Sequence, residues 1–66
     1  MKKAAAVKIP EELMEALARE AAAGRAFEAL APSHRREYAK WVAEGKRAET
    51  RRVRAGKVVQ RVMDGV

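Results

Sequence analysis

Ala48-Glu49-Thr50-Arg51-Arg52-Val53-Arg54-Ala55-Gly56-Lys57-Val58-Val59-Gln60-Arg61-Val62-Met63 repeats its apolar side chains with the period of an α-helix. At about 100° per residue, Ala48, Ala55, Val58, Val59, Val62, Met63 and Val66 gather on one arc. Arg47, Arg51, Arg54, Lys57 and Arg61 cover the other, at steps of four, three, three and four. Arg52 falls within the apolar arc, where it must snorkel or find a partner. The pattern predicts a helix from about Ala48 to Asp64, with Glu49 in its first turn.

Upstream, the same reading predicts a helix from about Ser33 to Glu44, opened by Pro32 and closed by Gly45. His34, Tyr38, Trp41, Val42 and Gly45 share one arc, which marks Tyr38 and Trp41 as core anchors and His34 as half-buried. Further upstream, Pro10 suits a first helical turn because its missing N–H has no partner there in any case. Glu11 and Glu12 then meet the positive end of the helix dipole. Ile9, Leu13 and Leu17 form one stripe, and Glu15 and Arg19 are spaced for an ion pair. A break falls between Glu20 and Gly24, where Ala and Gly offer little to pack, and a short helix follows from about Ala23 to Leu30, with Ala23, Phe27 and Leu30 on one side. The expected architecture is all-α: a compact bundle of three to four short amphipathic helices. Residues 9–66 make one domain behind a flexible tail at 1–8. The expected core is Leu13, Leu17, Phe27, Leu30, Tyr38, Trp41, Val42, Val59 and Val62.

Composition bounds what such a bundle can do. The chain has 66 residues, and 48% are hydrophobic, but fifteen of those are Ala. That suffices for one small core and excludes a two-domain enzyme with a deep cleft. Without Cys there is no disulfide scaffold, thiolate metal site or thiol nucleophile. The single His, Ser and Thr form no nucleophile–base pair, because Ser33 and His34 are neighbours on a helix and do not face each other. No second His is available for a metal site, and Gly45-Lys46 and Gly56-Lys57 lack the rest of a phosphate loop. The reading is a non-enzymatic chain with no cofactor and no metal. Its longest apolar run, Ala4 to Val7, is far below the roughly 20 residues of a membrane span and too short for an export signal. These features point to a cytoplasmic protein.

Charge is divided unevenly. Residues 1–33 carry five basic and five acidic side chains, whereas 34–66 carry ten and four, so the whole net charge of +6 lies in the second half. Like charges along one helix face cost stability, and Arg47, Arg51 and Arg52 sit near a helix N-terminus, where cations are disfavoured. Something must compensate. Glu11, Glu12, Glu15 and Glu28 could do so from within the bundle; nucleic acid phosphates, acidic lipid heads or an acidic protein segment could do so from outside. No Asn is present to read adenine, so nucleic acid binding would be weak, salt-sensitive and indifferent to sequence. A third outlet is weak homodimer formation through the apolar face, since so small a core is marginal alone.

Ile9-Pro10-Glu11-Glu12-Leu13, Ala26-Phe27-Glu28-Ala29-Leu30, Pro32-Ser33-His34-Arg35-Arg36-Glu37-Tyr38, Trp41-Val42 and Lys46-Arg47-Ala48-Glu49-Thr50-Arg51 follow one another in an order and spacing that resemble the YdeI/OmpD-associated, or bacteriocin-protection, family. The resemblance covers most of the chain. It implies a small helical domain of the kind that ends longer bacterial proteins. It also implies a role in tolerance of antibacterial peptides or association with an outer-membrane porin, an envelope setting at odds with the cytoplasmic reading. No catalytic residues come with it. Gly45 stands where the family tends to have Ala, Val53 where a second basic residue is frequent, and Ala48 where Pro is frequent. The first and third imply lost stability, and the second a thinner anion site. The outward-facing residues that match the motif are Arg35, Arg36, Lys46, Arg47, Arg51 and Arg54. They are the candidates for contact with an anionic protein or nucleic acid, or else for helix-linking salt bridges around Glu37 and Glu49.

Overall fold

The computed structural model describes residues 9–65, and these form four α-helices: α1 (Glu11–Arg19), α2 (Ala21–Glu28), α3 (Pro32–Ala43) and α4 (Ala48–Met63). The expected tail at 1–8, and Val66 on the apolar arc, lie outside the described residues. The all-α architecture is as the periodicity predicts, with the bounds of α1 and α2 shifted. Pro10 caps α1 from outside, its carbonyl accepting from Leu13 and Met14. The break between α1 and α2 is the single extended residue Glu20, so α2 begins at Ala21 and ends at Glu28.

α4 packs against each of the other three helices, and α1 packs against α2. α3 makes its principal helix contact with α4. The core is Leu13, Ala23, Phe27, Ala39, Val42, Ala55, Val58 and Val62. Leu17, Leu30, Tyr38 and Val59 are partly buried against it. Each large apolar side chain removed from water contributes about 1.5–3 kcal/mol, and only five of the eight core residues are larger than Ala.

Three expectations about burial are corrected. Ala23 is fully buried on the side it shares with Phe27, although it stood outside the expected core. A methyl side chain fills the space where helices approach closely, and small residues are therefore core residues in a bundle this size. Trp41 is 38% exposed and is no core anchor, and His34 is exposed rather than half-buried. The buried line of α3 is Ala39 and Val42, with Arg35 half-buried one turn earlier, which turns His34 and Trp41 outward.

None of the four helices has a side-chain N-cap. The chain lacks Asn and has one Ser and one Thr, so the usual capping oxygens are scarce. The C-terminal ends of α2 and α3 are instead secured by arginines.

Candidate functional site

The last carbonyls of a helix have no backbone donor within it. At the end of α2, Ala29 N–H goes to Arg25 O and Leu30 N–H to Phe27 O, which leaves the Glu28 carbonyl without a backbone donor. Arg35 Nη1 donates to it at 2.9 Å and also to Leu30 O. At the end of α3, Glu44 N–H takes Lys40 O and Gly45 N–H takes Val42 O, which passes over Trp41 O. Arg54 Nη1 donates to that carbonyl at 2.7 Å, and its guanidinium carbon lies 5.2 Å from the centre of the Trp41 ring. A cation at a helix C-terminus is also favoured by the dipole, and stacking over indole adds a cation–π attraction.

Arg51 does more. Its Nη1 donates to Gly45 O at 2.8 Å and to Lys46 O at 3.2 Å, while its Nε donates to Glu12 Oε2 on α1 at 3.1 Å. One guanidinium therefore ties the α3–α4 connection to the first turn of α1. The hydrogen bond at Glu12's own backbone, and then that from Arg51, holds the Glu12 carboxyl below its ordinary value of 4.5, against a smaller opposing effect of burial.

This reverses the expected roles of Arg51 and Arg52. The buried line of α4 is Ala55, Val58 and Val62, and Arg51 lies one turn before it on the same line. Arg52 is exposed, at a surface recess with Glu12, Glu15 and Arg19. Including Ala48, Val59 and Met63 in the apolar arc rotates it away from its true centre. Gly45 also differs from the reading. It does not adopt a positive φ, and it is buried. A Cβ there would meet Arg51 Cγ at 3.0 Å, Thr50 Cγ2 at 3.1 Å and Arg51 N at 3.2 Å. Glycine lets the connection approach the first turn of α4, so Gly45 serves the Arg51 clamp rather than loosening the end of α3.

Of the six candidate residues, Arg35, Arg51 and Arg54 are thus committed to backbone carbonyls within the chain. They do not form one patch, since Arg51 reaches α1 whereas Arg54 reaches α3. Arg36, Lys46 and Arg47 are exposed. Internal neutralisation is slight: Arg51–Glu12 is the one ion pair within 4.0 Å among the described residues. Among the described residues the expected pairing of Glu15 with Arg19 is absent, as are salt bridges at Glu11, Glu28, Glu37 and Glu49.

A groove between α3 and α4 was not apparent from the spacing. Two recesses of about 370 and 280 Å³ share Glu37, Tyr38 and Arg61; Leu30 and His34 line the first and Trp41 the second. A wider, more open apolar recess lies along α1 and α2, lined by Ile9, Met14, Leu17, Ala21 and Phe27 among others, with Arg25 and Glu28 at its edge. Centring the α4 wheel on Val58 would have placed Arg61 at its edge toward α3. Among the described residues no group of three or more His, Cys, Asp or Glu side chains is placed to hold a metal ion. No described helix is long and apolar enough to cross a membrane.

Four short helices, with half-buried arginines at the ends of α2 and α3, define a small all-α domain with a cationic surface. The chain belongs to the family described as bacteriocin-protection, YdeI or OmpD-associated, whose sequence pattern matches residues 6–65. It is 40% identical over 57 residues to the uncharacterized protein YdeI of Bacillus subtilis (strain 168), an overlap that takes in 86% of this chain and 29% of YdeI. The chain therefore spans less than a third of the length of this curated relative. No solved structure matches it.

Proposed function

We propose that this chain is a non-enzymatic helical interaction module whose last two helices engage an anionic partner. The observation that carries the reading is the unneutralised charge: ten cations stand against four carboxylates in residues 34–66, and a single ion pair, with Arg51, joins any described cation to a carboxylate. Even with Arg35, Arg51 and Arg54 directed at carbonyls, the surface keeps Arg36, Lys40, Lys46, Arg47, Lys57 and Arg61 exposed. Such a surface attracts anions and is screened over roughly 8 Å at physiological salt. The family's description, bacteriocin protection, extends the proposal to a part in tolerance of antibacterial peptides.

The test is an amide NMR titration with polyglutamate, a short DNA duplex and an RNA single strand, each at low and at physiological salt. Shifts on α3 and α4 that persist at physiological salt with at least one of these are expected. Shifts confined to low salt, or none, would overturn the reading.

A second reading is favoured by the arginine–carbonyl bonds themselves. In it the domain is a structural accessory with no ligand, and its motif arginines serve only its own helices. It requires that charge reversal at Arg36 and Lys57 leave every interaction of the protein unchanged.

A further inference from the structure

The α3–α4 groove gathers the chain's only Trp, only Tyr and only His at one place. Trp41 is 38% exposed, yet it is not loose. Arg54 is anchored on the Trp41 carbonyl at 2.7 Å and lies over the ring at 5.2 Å, so one face of the indole is fixed from within the chain. A preset aromatic side chain loses little entropy when a partner covers its remaining surface. Tyr38 is half-buried beside it, and Leu30 continues the apolar floor. Arg61 lines both recesses, is exposed, and has no carboxylate within 4.0 Å among the described residues. Trp, Tyr and Arg are the residue types in which binding energy concentrates at interfaces.

We infer that this groove docks an acidic, amphipathic segment of a partner protein, with apolar side chains against Trp41 and Tyr38 and a carboxylate on Arg61. The inference deepens the proposed function and rests on it. Charge complementarity selects the occupant. A nucleic acid gains affinity by neutralising several phosphates in a row, but the groove offers one uncommitted guanidinium, and Glu37 beside it repels a closely spaced row of phosphates. Base stacking also uses open aromatic faces, and one face of Trp41 is already occupied by Arg54. A protein segment whose carboxylate is separated from its apolar side chains matches a groove with one cation and an aromatic floor.

Trp41 is the sole Trp, so its fluorescence reports on the groove directly. The probe is a short synthetic peptide alternating aspartate with leucine and phenylalanine, titrated into the full chain at physiological salt. Saturable change in Trp41 emission is expected, and the same peptide with asparagine for aspartate should give none. Arg61→Glu should weaken binding by about tenfold or more, as for a specific charge contact. Lys57→Glu makes the same charge change outside the groove and should weaken it by about threefold or less. Arg61→Gln, which adds no repulsion, should also weaken binding more than Lys57→Glu, and amide spectra check that each variant is folded. Equal weakening by Arg61→Glu and Lys57→Glu would overturn the groove while leaving the basic-surface reading intact. Tighter binding of the DNA duplex, with shifts spread along α4, would overturn the choice of a protein segment. Failure of the peptide, polyglutamate, the DNA duplex and the RNA single strand alike to bind the unmodified chain at physiological salt would overturn the proposed function as well.

Discussion

From Glu11 to Glu28, Leu13, Ala23 and Phe27 are buried between helices joined by a single extended residue, and the first 33 residues are charge-balanced. From Pro32 to Met63, α3 brings only Ala39 and Val42 to the core, and Arg35, Arg51 and Arg54 bind the carbonyls at the helix ends. The second half supplies the guanidinium groups of these charge-assisted hydrogen bonds, and through Arg35 and Arg51 it extends them to the end of α2 and to α1 in the first half. The contrast teaches that a basic half is not uniformly a binding surface. Three of its motif arginines act on the chain's own backbone, and the cations that remain are those free to meet a partner.

Removing the largest apolar contribution breaks the first half. Phe27 is 1% exposed, and Phe→Ala in a core costs about 3–5 kcal/mol, comparable to what a core of this size supplies. Phe27→Ala should abolish the cooperative thermal transition followed by circular dichroism. In the second half, Gly45→Ala forces a Cβ against the Arg51 backbone and side chain. The expected loss is about 1–3 kcal/mol, read as a lower denaturant midpoint. An unchanged midpoint would show that the connection relaxes freely.

The Glu12–Arg51 pair joins the two halves, and the Glu12 carboxylate, held by a hydrogen bond at its own backbone and then by Arg51, gives them a pH dependence. Glu12's folded pKa is lowered, so its contribution is present above the unfolded value and is lost as pH falls through the lowered one. Glu12→Gln should therefore be less stable than the parent at neutral pH, with the gap closing in acid below the ordinary carboxylate value. A gap independent of pH would mean that the charge on Glu12 contributes nothing. The smallest effect is expected at Ala48, the first residue of α4, which follows an extended Arg47 at φ −104°, ψ 148°. That geometry suits a following proline. Ala48→Pro should raise stability by about 0.4–1 kcal/mol through the unfolded chain, seen as a small rise in melting temperature.

How far the sequence foretold this structure depends on the kind of contact. Helices were legible because Leu13 and Leu17, or Val58 and Val62, recur at helical spacing, and Pro10, Pro32 and the Gly45-Lys46-Arg47 connection mark the ends. The side each helix turns inward was less legible where apolar residues are broad or small. On α4, Val59 and Met63 widened the arc and hid Arg51, which lies in line with Ala55, Val58 and Val62. On α3, the large aromatic Trp41 outweighed Ala39 in the reading, although Ala39 is the buried one. The arginine–carbonyl bonds have no signature in spacing, because the orphan carbonyl of one helix and the guanidinium of the next meet only once the helices are packed. The family was legible from linked motifs spread along the chain, and the matched residues 6–65 bear it out.

The division of the cations into internal and external is tested most directly by thermal unfolding of Arg51→Ala beside Arg61→Ala. Arg51 gives up two hydrogen bonds to carbonyls as well as its ion pair, and the carbonyl bonds alone are worth about 1–3 kcal/mol. Each kcal/mol lowers the melting temperature of so small a domain by about 4–8 °C. Arg51→Ala should melt several degrees below the parent and Arg61→Ala within about a degree of it, as for an exposed unpaired cation. Equal melting temperatures for the two variants would contradict the account.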